Sequence, residues 1–200
     1  MKTLLITGFE PFGGETVNPS WEAVCRLPET VGGWTVRKLE IPVVYGLAAQ
    51  TVAEAASQLH PDAVLCVGQA GGRAGITPEA VAVNLREARI PDNAGNQPAA
   101  EPVAAGGPAA YFATVPVRKM VTAMTDAGIP ASLSLSAGSF VCNDVFYALS
   151  HRFHGMPVKV GFIHVPWLPE QAGGKGPGMS LEDMVRGLEI CIATLDDSGL

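Results

Sequence analysis

Charge is what this chain has least of. Only 16% of its 200 residues are charged, and acids outnumber bases, 19 to 13, for a net charge of −6. That balance excludes the clustered Lys and Arg needed by a nucleic-acid-binding or anionic-membrane surface. No apolar run approaches the roughly 18 residues that span a bilayer. The opening MKTLLITGFEPFGG has too short an apolar run for a signal peptide, and Gly8, Glu10 and Pro11 interrupt it. It reads as a short buried strand, and the cytosol is the expected location. Cysteine is also scarce. Cys25, Cys66, Cys142 and Cys191 lie far apart with no CxxC pair. Neither a disulfide framework nor a zinc site is expected from that spacing. His151 and His154 are close in sequence, but HRFHG reads as a polar helix end open to solvent.

What is present is apolar. Hydrophobic residues make up 48% of the chain, which excludes disorder. The length suits one domain, residues 1–200, burying roughly 70% of the unfolded chain's surface. Strand patterns fall at 3–9, 34–44, 63–67, 80–85, 132–136 and 159–165. Helical patterns fall at 19–27, 47–59, 117–127 and 142–152, and a last helix opens at Ser180. Asn18 before Pro19 reads as an N-cap, as does Ser180. Residues 90–116 are rich in Gly, Pro and Asn, and a loop that long is expected to be functional. Alternating strands and helices predict an α/β fold: a three-layer α/β/α sandwich with a mixed, mostly parallel, twisted sheet. Sites on such sheets collect in the loops at the strand ends.

Four residues there have chemical potential. Cys142, in GSFVCNDVFY, follows a Gly-Ser turn at a helix start. Free backbone N–H groups and the helix dipole favour an anion at that place and can lower a thiol pKa. The plain alternative is a small core residue, as Cys66 reads mid-strand and Cys25 and Cys191 read on helices. His164 ends a buried strand before Pro166 and is the candidate base for a thiol nucleophile. It could equally be a satisfied core histidine. His60 reads as exposed. Glu79, in ITPE, and Asp92, in RIPDN, are rival carboxylates to orient an imidazole, and spacing leaves the choice open. GQAGGRAG lacks the Lys-Ser/Thr of a phosphate loop, and no clear helix follows it. Phe9 and Phe12 lie in a loop beside a strand end, where aromatics suggest an apolar pocket.

Taken in order, TGFEPFGG with Asn18-Pro19-Ser20, VGQAGGR, ITPE, ARIPDN, GSFVCN and GFIHVP resemble the motifs of the pyroglutamyl peptidase I family. The match runs from residue 3 to about residue 171; the stretch AGGKGPGM that follows matches no firm family motif. The resemblance implies a cytosolic cysteine exopeptidase without a cofactor, which removes N-terminal pyroglutamate from peptides. It implies a triad of Cys142, His164 and Glu79, and so favours Glu79 over Asp92. It implies a pyroglutamyl pocket of Phe9, Phe12, Ile90, Phe140 and Val141, with Gln69 and Arg89 near the reacting carbonyl. Asn18 would hold a loop or touch substrate. A homo-oligomer, tetramer or dimer, is expected. Two rivals use the same scaffold: a phosphate-dependent nucleoside phosphorylase-like enzyme, and a binding protein that holds pyroglutamyl peptides without turnover.

Overall fold

A computed structural model describes residues 1–197. Its main sheet has six strands in the order β2-β3-β1-β4-β8-β5. The centre is formed by β1 (Lys2–Phe9), β3 (Trp34–Ile41), β4 (Ala63–Gln69) and β8 (Lys159–Val165), all parallel. Short antiparallel strands close the edges, β2 (Thr30–Val31) beside β3 and β5 (Thr77–Pro78) beside β8. The central strands are continuous apolar runs because helices cover both of their faces. α1 (Pro19–Cys25), α3 (Val117–Asp126) and α6 (Leu181–Ala193) form one layer, and α2 (Leu47–Leu59) and α4 (Val141–Arg152) the other. A single turn, α5 (Pro169–Ala172), precedes α6. The two anticipated caps form: Asn18 accepts from Ser20 N–H with Pro19 in the first turn, and Ser180 accepts from Asp183 N–H.

Two elements differ from the sequence reading. The segment 132–136 is not a full strand. Within it only Ser134 makes a bridge, to Glu79, with Ala131 just before it bridging Ile76, and Leu135 is 69% exposed. The pattern at 80–85 shortens to β6 (Val81–Val83), which leaves the main sheet and pairs with β7 (Ala110–Phe112). That ribbon is held by α4. Asn143 accepts from Val83 N–H and donates to the carbonyls of Val83 and Leu85. The long segment between the two ribbon strands is therefore tied down, with Arg86 and Glu101 exchanging backbone hydrogen bonds across it.

Candidate active site

The carboxyl ends of β1, β4 and β8 open onto a cavity of about 290 Å³. Cys142, the second residue of α4, and His164, the next-to-last residue of β8, both line it. The sheet register explains their approach. Gly68 of β4 pairs with His164 of β8, so both present the same face. A Cβ built on Gly68 would stand 2.9 Å from the Cys142 sulfur. The missing side chain is the space the thiol occupies, and it lies beside the imidazole.

Glu79 lies behind His164 and is fully buried. Its backbone N–H bonds the carbonyl of Phe162, two residues before His164, which fixes it against β8. His164 Nδ1 lies 2.7 Å from Glu79 Oε1. A carboxylate can only accept, so Nδ1 carries the hydrogen and Nε2 keeps its lone pair. Arg73, on the loop after β4, also donates from Nη1 to Glu79 Oε1 at 2.7 Å. Burial alone would raise the Glu79 carboxyl. The His164 hydrogen bond and charge, with Ser134 and Arg73 adding, outweigh burial and hold it below the usual range. Burial lowers His164 below the ordinary imidazole value, Arg73 adds to that, and Glu79 only partly opposes it.

The thiol behaves differently from the expectation set by its helix start. Burial, reinforced by the Glu79 charge, pushes Cys142 up to about 12; Arg73 and the N-terminal backbone N–H pull the other way and lose. Burial therefore favours the uncharged form of both the thiol and the imidazole. Cys66 is fully buried and Cys191 lies in the core against Met124, as core residues do.

Phe9, Phe12, Phe140 and Val141 wall the cavity, together with Val43. Phe12 and Phe140 have ring centroids 6.3 Å apart, and Tyr45 meets Phe140 edge-on at 5.5 Å. Phe9 is 2% exposed and backs onto Phe162. Asn18 and Gln69 also line the space. Asn18 is heavily engaged: it accepts from Ser20 N–H and Oγ–H and donates to the Glu10 carbonyl. Gln69 Oε1 is buried with no partner among the described residues. Among the described residues lining the cavity none is a carboxylate, and Arg73 is the one fixed charge.

Arg89 and Ile90 do not join this cavity. Ile90 is 50% exposed, and Arg89 is exposed beside it. Just before them, Ala88 N–H bonds the Pro98 carbonyl. Asp92, the rival carboxylate, is a loop clamp. It accepts from the backbone N–H groups of Tyr45, Ala94 and Asn96 and from the Asn96 side chain. His151 and His154 are exposed, and His151 Nδ1 lies 2.7 Å from Tyr111 Oη. The sequence reading passed over Arg73. Its signal was a lone cation closing a Gly-rich turn, with nothing in sequence to pair it with Glu79.

Similarity to known proteins agrees with this geometry. Pyrrolidone-carboxylate peptidase of Escherichia fergusonii is 52% identical over 198 residues, 97% of this chain and 92% of that protein. The enzyme of the same name from Cupriavidus necator is 51% identical over 200 residues, 97% of this chain and 93% of that one. The crystal structure of pyroglutamyl peptidase I from Bacillus amyloliquefaciens superposes with a TM-score of 0.94 at 47% identity, covering 98% of this chain and 97% of that one. A mutant pyrrolidone carboxyl peptidase of Pyrococcus furiosus gives 0.92 at 39% identity, covering 99% and 100%. The pyroglutamyl peptidase family model matches residues 1–197, and the chain belongs to that family.

Proposed function

We propose that this protein is a cysteine exopeptidase that cleaves the bond after an N-terminal pyroglutamyl residue, with the whole chain acting as one catalytic domain. The observation that supports this most is the buried Glu79–His164 pair, whose His164 lines the same cavity as a thiol that occupies the space over Gly68. Cys142 is the nucleophile. As its sulfur attacks the pyroglutamyl carbonyl carbon, the thiol proton passes to His164 Nε2. Glu79 stabilises the imidazolium so formed. Backbone N–H groups at the start of α4, that of Cys142 first, face the developing oxyanion; such a donor contributes on the order of 3 kcal/mol. The imidazolium then protonates the departing amine, leaving a thioester. His164 next takes a proton from water, which attacks the thioester, and returns that proton to the sulfur. Pyroglutamate and the shortened peptide leave.

The walls account for the substrate class. Pyroglutamate has its amine locked in a lactam and carries no charge at its N-terminus. Phe9, Phe12, Phe140 and Val141 suit its ring, and the free Gln69 Oε1 can accept from an N–H. A free glutamyl terminus would bring an ammonium with no carboxylate on the lining to pair with, at a cost of several kcal/mol. Among the described residues no helix is long and apolar enough to cross a membrane, and the net charge is −6. Exposed Phe112 and Met156, at 67% and 56%, support a homo-oligomer, dimer or tetramer.

The test is release of aminomethylcoumarin from pyroglutamyl-aminomethylcoumarin. The native, reduced protein is expected to turn over, and prolyl- and glutamyl-aminomethylcoumarin to remain intact. Cys142→Ser and iodoacetamide treatment should each remove activity by on the order of 10³-fold or more. Turnover that survives loss of Cys142 refutes the nucleophile, and absence of turnover in the native protein refutes the activity.

A further inference from the structure

The Glu79 carboxylate takes its two close donors, His164 and Arg73, on one oxygen. Oε1 accepts from His164 Nδ1 and from Arg73 Nη1, both at 2.7 Å. Oε2 is buried with no partner among the described residues. Arg73 itself is 30% exposed and lines the cavity, while Glu79 is fully closed off. The guanidinium is held in place from several directions. Nη1 also donates to Thr77 Oγ1, and Nη2 reaches the Ser136 carbonyl on the cavity wall at 3.4 Å. The loop that presents it is packed. A Cβ on Gly71 would overlap the Trp167 ring at 2.0 Å, so that ring presses directly on the backbone, and Ala70 N–H bonds the Val165 carbonyl.

The charge count gives this arrangement a purpose. Burial favours the neutral forms of both Cys142 and His164, so the nearby cation on Glu79 is Arg73, 2.7 Å away. Glu79 would then be a buried anion with Arg73 as its counter-charge, and a lone buried anion is costly. A protonated Glu79 could not stabilise an imidazolium. We propose that Arg73 is a positioning residue of the catalytic triad, the standing counter-ion that holds Glu79 ionised and oriented through the oxygen shared with His164 Nδ1. The proposal rests on the exopeptidase reading for its catalytic consequence, but not for its electrostatic one. With Arg73 present, the buried cluster is neutral overall before proton transfer: guanidinium plus carboxylate, neutral thiol, neutral imidazole. It is also neutral afterwards, because the proton only moves from sulfur to Nε2. Without Arg73 the resting cluster would hold one uncompensated negative charge, and a proton from solvent would settle on His164 or Glu79. On His164 it would occupy the atom that must accept from the thiol. The titratable and charged groups that face His164 from its surroundings are Glu79 before β6, Arg73 after β4 and Cys142 on α4; β5 offers Thr77 opposite it.

The test compares Arg73→Gln with Arg73→Lys in the full-length protein. The readouts are kcat and KM on pyroglutamyl-aminomethylcoumarin across pH, and the titration of the His164 imidazole by nitrogen-15 NMR, assigned by its absence in His164→Asn. Arg73→Gln is expected to move the His164 midpoint and the acid limb of kcat/KM upward by about one pH unit, a tenfold change in proton affinity. Its kcat should fall with KM within about threefold. Arg73→Lys keeps the charge and should restore most of the shift. An unmoved His164 midpoint in Arg73→Gln overturns the proposal, as does equal loss in both variants with no shift in either, the mark of a merely structural contact. If Arg73→Gln does not fold, Arg73→Lys decides: a wild-type acid limb upholds the role of charge, and a displaced one overturns it. If the native protein shows no turnover, the exopeptidase reading fails by itself, and the His164 titration still decides for or against Arg73.

Discussion

Glu79 and Asp92 are two acids that no spacing rule separates, yet their surroundings give them different work. Glu79 offers Oε1 to a histidine and an arginine in a closed interior. Asp92 is wrapped around its own loop, accepting backbone N–H groups from Ala94 and Asn96 and reaching across to Tyr45. Opposite outcomes are expected from neutralising each. Glu79→Gln keeps the shape but loses the charge that holds the imidazolium, so kcat should fall on the order of 10²–10⁴-fold without reaching zero. Asp92→Asn should leave the chemistry mostly intact and weaken folding, by about 1–3 kcal/mol for the charge-assisted bonds it loses. Steady-state kinetics beside urea denaturation of the two variants checks both. Unchanged kcat in Glu79→Gln would remove it from the triad. The family resemblance, and not the residues alone, favoured Glu79 as the histidine's partner, and the two lie in contact. The reason is that an acid's partner is a contact between distant positions, 79 and 164 here.

At the scale of elements, the site is where three pieces of backbone converge: the start of α4, the end of β4 and the end of β8. Position 68 is the pivot. A methyl group there would meet the Cys142 sulfur at 2.9 Å and the Phe162 ring at 2.8 Å. Gly68→Ala should therefore displace the thiol from its place beside β8 while leaving the strand's backbone pairing in place. kcat is expected to drop by on the order of 10²-fold, since misplacement by about an ångström is that costly. Circular dichroism should stay native, and normal kcat would show that the sulfur has room the geometry denies. The elements themselves were mostly readable, because continuous apolar runs at 63–67 and 159–165 mark strands covered on both faces. The segment 132–136 was misread for a physical reason. Its alternation of Ser and Leu is a strand pattern, but only part of one side finds a neighbour, at Ile76 and Glu79. Pairing partners, not local pattern, complete a strand.

Over the whole molecule, several buried groups tie stability to pH. Burial works against the ionised forms of Glu79 and Asp92, but their hydrogen bonds prevail and both are held below their ordinary values. The stability they supply is present above the usual carboxylate range and is lost as pH falls through their lowered values. His164, kept neutral by burial, acts in the same direction: below about pH 6.5 the unfolded chain takes a proton there that the folded chain refuses. On the alkaline side, Cys66 and Cys142 are pushed up to about 12 by burial, so above about pH 8.5 unfolding is favoured by ionisation of the freed thiols. The urea midpoint is expected to be highest between those limits and to decline on both sides; a midpoint flat from pH 7 down to pH 4 would contradict the assignment of these groups. By itself the sequence determined the α/β class, the central strands and main helices, both helix caps and the membership carried by its motifs, because these depend on neighbours along the chain. It also marked Cys142 and His164 as candidates through their places at a helix start and a strand end. Tertiary structure alone decided that Gly68 makes room for the sulfur, that Arg73 shares an oxygen with His164, and that Arg89 and Ile90 turn outward. It also reversed the expected tuning of the thiol, since burial is a property of the assembled fold and here outweighs the helix dipole that sequence position supplies.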